Sequence, residues 1–418
     1  MHELDDWLRH FDPELFPYDS VIGAFHRVGK HFVDKELLAD LAQARSTLPE
    51  DGTAQGAGRV LAAFLDTALD KWDGRYDYRT YLSLGVLPLP DGQEPAAIEP
   101  AGHQRDLLVA QLIADALRQE LAAAEGDTDL FPEMRPPADL TAKRLRLGVR
   151  AVTPAMRRLG LPVADPAEGP EEAARQLWRQ AAAAALPEEL QTLRLSILPV
   201  YVSHDEYMFL RILQAFEVSF ALLSVLLRQA VAELAGAGAA RCAWLVGQAD
   251  EALREAASLF PLLATMQVGS FRTFRLYTEG ASAIQSRNYK MVESLCRVPD
   301  GPRLDSAAYL AVPEVREQVL TGRAGLAETL RAAQADGLIT APDRERLDEA
   351  LAAFSATLLQ WRQTHYRMAV RMLGEGRTGT GYTEGTPYLS SVRDIPVFEI
   401  PDADDDRAAT PSESEASS

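Results

Sequence analysis

The sequence predicts an all-α fold, a bundle of long helices joined by short turns, and three observations predict it. Ala and Leu dominate while β-branched residues are sparse, a bias toward helix. Apolar residues recur at three- and four-residue steps through the long stretches after Ser203, the period of an amphipathic helix. Pro and Gly punctuate the chain at short intervals, so the links are turns. With 418 residues and 47% hydrophobic content, the chain can bury a sizeable core.

Taken in order, four segments separate: N-terminal helices at 1–90, an inserted helical region at 91–195, a helical bundle at 196–400 and a tail at 401–418. The first segment predicts helices near 20–44 and 55–72, split by the turn-forming STLPEDGT. Residues 76–89 read as extended or as a short helix, ended by Pro88 and Pro90. The inserted region is cut by Pro and Gly into helices near 104–124, 141–159 and 171–185. Ser203-His204-Asp205-Glu206 has the S-x-x-E form of a capping box and opens a helix to about residue 235. His204 then takes the first helical position, with its side chain expected to point off the helix end. Helices follow near 239–263 (broken at Pro261), from about 282, at 313–336 and at 342–373.

The net charge of −19 argues against a nucleic-acid-binding face. Part of it lies in the tail PDADDDRAATPSESEASS, which has little to bury and is expected to be disordered. The two cysteines, Cys242 and Cys296, form no CxxC pair and point to a reduced, cytoplasmic compartment. The acidic N-terminus has no signal-peptide pattern, and the apolar run 218–227 is too short to span a bilayer.

The richest stretch is 361–389. Leu358, Trp361, His365, Met368, Ala369 and Met372 share one helix face, so His365 lies within an apolar stripe. Gly374 is the expected helix stop, and the Gly/Thr-rich loop after it offers amides and hydroxyls to a small anionic group. Other motifs fail on spacing. The segment from Gly23 to Lys30 has one residue too many for a phosphate loop, and Gly379-Thr380-Gly381 follows no strand. No two of the seven histidines have metal-ligand spacing on one helix, so any metal favours a single His ligand, as in a haem. Arg272 and Arg275 lie among aromatics in GSFRTFRLY; such an Arg either pairs with a carboxylate such as Glu279 or clamps a substrate carboxylate.

Four blocks in order carry a family resemblance: Tyr78-x-x-Tyr81-Leu82-x-Leu84; His204-Asp205-Glu206 with Met208-Phe209; Phe274-Arg275 through Ser282, Gln285, Ser286 and Tyr289; and His365 before RMLG and GTG. Over about half the chain the sequence resembles the tryptophan 2,3-dioxygenases, histidine-ligated haem enzymes acting on aromatic amino acids. The resemblance implies a haem b with His365 as proximal iron ligand, Ser282 near it, and the face carrying Trp361 against the porphyrin. It implies that Arg275 and Thr380 hold the carboxylate and amino ends of the substrate and that His204 acts on the distal side near the ring nitrogen. It also implies a homotetramer in which Tyr78, Tyr81 and Leu82 reach a neighbouring subunit's pocket.

The departures from the family surround the substrate. Val200 stands where the family usually has Phe, Phe271 where it has Tyr, and Thr278 where it has Leu; Ala283 and Tyr382 replace glycines. The region 91–195 also replaces a short link. The expected activity is a haem-dependent dioxygenase of tryptophan or a substituted tryptophan, opening the indole C2–C3 bond with O₂ to an N-formylkynurenine. The alternatives are a haem-dependent monooxygenase of tyrosine or a tryptophan analogue, and a non-catalytic helical bundle.

Overall fold

A computed structural model describes residues 2–49, 53–92, 97–163, 165–379 and 385–398. Thr380, Tyr382 and the tail lie outside the described residues. The fold is all-α: among the described residues no strand forms, only an isolated bridge between Glu133 and Ser203.

The N-terminal segment holds α1 (His2–His10), α2 (Tyr18–Val28), α3 (Lys35–Ser46) and α4 (Gly56–Ala68) around a core of their own. The single helix expected over 20–44 is two. Gly29 ends α2 at a φ of +83°, and a Cβ there would lie 2.7 Å from the Val200 carbonyl oxygen. The backbone must leave the helix because another segment passes against it, with the Lys30 amide donating to Pro199 O at 2.8 Å. The 76–89 stretch forms one helical turn, α5 (Tyr78–Tyr81), capped by the Asp77 carboxylate.

Four helices follow: α6 (Ile98–Glu125), α7 (Ala138–Arg158), α8 (Pro170–Ala183) and α9 (Pro187–Leu195). They are no appendage. Leu108, Leu112, Leu117 and Leu145 share one continuous hydrophobic core with α10 (His204–Ala235) and α11 (Ala239–Ala257). Short α12 (Phe260–Leu263) and α13 (Val268–Phe274) lead to α14 (Arg287–Cys296). Then come α15 (Gly301–Leu304), α16 (Ala307–Leu310), α17 (Pro313–Leu320), α18 (Leu326–Ala335), α19 (Ala341–Leu373) and α20 (Thr386–Val392). The helix expected over 313–336 is divided at Gly322, whose φ is +96°. Gly374 does stop α19, its amide returning to Val370 O at 2.8 Å.

Helix α10 is the axle. It packs on α6, α11, α14 and α18, and α11 in turn packs on α19. Its mean hydropathy of 1.8 would suit a membrane span, yet 94% of that window is buried inside the protein. Its capping box does not form. Ser203 makes no side-chain cap and meets the Ser270 hydroxyl instead. Glu206 accepts from the amides of Val200 at 2.7 Å and Tyr201 at 3.0 Å and from the Tyr81 hydroxyl at 3.2 Å.

Candidate active site

Helices α10, α13, α14, α19 and α20, with α5 at one side, enclose a cavity of about 1490 Å³ counting its open mouth. Its lining is mostly aromatic and aliphatic, with a few polar groups converging on it, the composition of a small-molecule site.

His365 faces this cavity from α19, with Trp361, Met368, Ala369 and Met372 of the same helix face beside it. Its ring lies 5.2 Å from that of Trp361. Neither imidazole nitrogen has a hydrogen-bond partner among the described residues, and the apolar setting pushes the pKa down to about 4. At neutral pH the imidazole is therefore uncharged, with a lone pair available. Trp361 is itself boxed in by rings: Tyr289 stacks on it at 5.5 Å, and Phe216 and Phe220 meet it edge-on. Its indole N–H is buried with no acceptor among the described residues.

Arg275 lines the cavity where the chain passes from α13 into the 3₁₀ turn Arg275–Tyr277. Its guanidinium donates to Thr378 O at 2.9 Å and, among the described residues, pairs with no carboxylate. Glu279 is engaged elsewhere, with His31 at 3.6 Å and with Tyr76. Burial works against the Arg275 charge, so an incoming carboxylate is its natural complement. Thr278, Phe271, Ser282, Tyr78 and Tyr81 also line the cavity. Tyr78 and Tyr81 thus line the cavity of their own chain.

His204, Leu82, Val200 and Arg272, all singled out in the sequence, are not in the cavity wall. Leu82 and Val200 are buried behind the wall, in a small cluster with Tyr78 and Tyr81. His204 does not project off its helix end. It is 1% exposed, with Nε2 at 3.2 Å from Glu120 Oε1 of α6 and Nδ1 buried without a partner. Arg144 of α7 completes this group, bonding Glu120 at 2.8 Å and Asp205 at 2.7 Å. Both partners come from the inserted region, which turns His204 toward α6.

Polar residues that motif reading passed over do line the cavity. Glu217 is 1% exposed and accepts from Asn288 Nδ2 at 3.0 Å, from Ser286 and from Tyr78. Burial outweighs these donors and raises its pKa to about 7. A carboxylate in the apolar run AFEVSFALL was the available signal. Also in the wall, Lys290 bonds Tyr388 at 2.9 Å and Glu293 at 3.2 Å, and Arg362 bonds the Tyr289 hydroxyl at 2.7 Å. Among the described residues no three His, Cys, Asp or Glu side chains gather to hold a metal ion by themselves. His365 alone suits a metal that brings its remaining ligands with it. No family model and no curated protein matches this chain.

Proposed function

We propose that this chain is a haem-dependent oxygenase of an aromatic α-amino acid, with tryptophan or a substituted tryptophan as the leading substrate. One observation carries the reading: a neutral imidazole, His365, faces an aromatic-walled cavity together with Arg275, and among the described residues the imidazole has no hydrogen-bond partner and Arg275 no carboxylate partner. His365 would hold the iron of a haem b, and Trp361, Met368 and Met372, which line the cavity beside it, would surround the group. When bound, the haem supplies the O₂ chemistry, in which both oxygen atoms enter the indole C2–C3 bond to give an N-formylkynurenine.

The chain's own residues do the rest. Arg275 takes the α-carboxylate, where a planar fork binds two oxygens at once. Phe209, Phe271 and Phe274 contact one another edge-on or tilted and form an apolar wall for the ring. These walls exclude water and hold the ring in one orientation, the main contribution a protein makes to such a reaction. Val200 lies behind the wall, so no side chain from that position packs on the ring.

Expression with haem supplied should give a protein with a Soret band, and His365→Ala should lose it. Wild-type protein that never acquires a Soret band would remove the reading and leave a non-catalytic bundle. Turnover under isotopically labelled O₂ then separates the reactions. Two labelled atoms in the product fit the dioxygenase; one means hydroxylation of tyrosine or a tryptophan analogue.

A further inference from the structure

Glu217 is the one carboxylate among the described residues that line the cavity. The other ionisable groups on the wall are cations or phenols besides His365. An aromatic amino acid brings a ring N–H or O–H into a space whose walls are largely apolar, and that donor needs an acceptor. On α10 Glu217 lies between Phe216 and Phe220, which both line the cavity and both touch Trp361. Arg275 enters the cavity from a different segment, beside Thr378. A carboxylate offers about four acceptor positions. Asn288, Ser286 and Tyr78 supply three donors, so acceptor capacity remains.

We propose that Glu217, rather than His204, is the group that meets the ring donor of the bound amino acid and so selects rings that carry one. The inference rests on the amino-acid reading of the same cavity. His204 cannot serve there as the protein is folded: it lies outside the wall, tied to Glu120. Glu217 takes the ring hydrogen as a hydrogen bond to its ionised form. Should the proton transfer in the bound state, it moves from ring nitrogen or oxygen to the carboxylate and returns on release.

A pH dependence follows. Among the described residues, the groups that bond Glu217 are Tyr78 from α5 and Ser286 and Asn288 at the start of α14, none of them charged. The remaining titratable groups of the wall include His365 and Arg362 from α19, Lys290 from α14, and Arg275. His365 is already neutral above about pH 4, and Tyr78 stays protonated because burial raises its pKa well above 10. Glu217 ionises near pH 7, so affinity for a ring donor should rise as pH climbs from 6 to 8.

The test is calorimetric titration of the haem-loaded protein with L-tryptophan and 1-methyl-L-tryptophan, and with L-tyrosine and O-methyl-L-tyrosine, at pH 6, 7 and 8. Wild type should bind the donor-bearing ligand about tenfold tighter than its methylated partner at pH 8, the scale of a charge-assisted hydrogen bond. It should lose most of that preference at pH 6. Glu217→Gln keeps the size and one acceptor oxygen; its preference should be smaller and independent of pH. The same preference and pH profile in Glu217→Gln would overturn the proposal while leaving the amino-acid reading intact. Absence of binding by wild type to all four ligands would overturn both. If Glu217→Gln does not fold, the pH profile of the methylation penalty in wild type decides alone, and a flat profile overturns the proposal.

Discussion

At the scale of single residues, the site rests on groups whose protonation the apolar interior has settled. The His365 imidazole is kept neutral by desolvation, and Arg275 keeps its charge in a half-buried place where, among the described residues, only a backbone carbonyl meets it. A guanidinium so placed gains most when a ligand brings the missing carboxylate, because hydrogen bonds to charged groups contribute about 1.5–3 kcal/mol. Arg275→Ala should therefore raise KM by roughly ten- to a hundredfold and move kcat much less, as expected for binding retained through the transition state. Arg275→Lys should recover only part of the loss, since an ammonium cannot make the paired contact. Steady-state kinetics checks this; a KM unchanged in Arg275→Ala would remove Arg275 from the site.

At the scale of elements, α10 carries a series of buried polar side chains, each keyed to a different neighbour. Asp205 meets Arg144 of α7, Arg211 meets Asp115 of α6 at 2.6 Å, Gln214 meets Leu82 O at 2.9 Å and Glu217 meets Asn288 of α14. Such groups cost desolvation energy, but a slip of register would strand every one of them. Arg144 is 0% exposed and bridges two carboxylates, so Arg144→Met should destabilise by about 3–5 kcal/mol, the cost of leaving buried charges unpaired. Adding Glu120→Gln and Asp205→Asn to it should restore part of the loss. Denaturant unfolding measures both, and a single variant as stable as wild type would show that this bridge does not hold α6 and α7 to α10.

The same helix explains what could be read in advance. The apolar period of α10 and α19 is local, and so is the clash of an imidazole with its apolar face, so both helices and His365 were legible. Arg275 stood out for the same reason, as a cation among rings. The break at Gly29 was hidden because its cause is a distant backbone, that of Val200 and Tyr201. The orientation of His204 was hidden because its partner Glu120 lies in the inserted region, whose packing no local pattern announces. Glu217 was overlooked because a charge within a helix is ordinarily turned to water, and only the packing of α5 and α14 closes water out.

At the scale of the whole molecule, burying carboxyls that pair directly with no cation among the described residues makes stability depend on pH in an uncommon direction. Glu206 is 0% exposed, and burial lifts its pKa to about 8 despite two amide donors and the Tyr81 hydroxyl; Glu217 is lifted to about 7. In the unfolded chain both titrate near their ordinary values, about 4.3. Between pH 4.5 and 8 the folded state therefore holds protons that the unfolded state has lost, and stability falls as pH rises. Buried His26 and His365, whose pKa values are lowered, act in the opposite sense, but only below the ordinary histidine value of about 6.5. Above that value the carboxyls prevail, opposed only toward pH 8 by Lys71, whose pKa burial lowers to about 8. From pH 6.5 to 8 the protein should lose on the order of 2 kcal/mol of unfolding free energy, at about 1.4 kcal/mol per pH unit for each proton held. Glu206→Gln removes the larger share, and what remains should fade by about pH 8, a unit above the Glu217 pKa. Urea unfolding at half-unit pH steps gives the curve. A wild-type protein whose stability is level or rising between pH 6.5 and 8 would mean that these two side chains are ionised in the folded state and have found compensation for their charge.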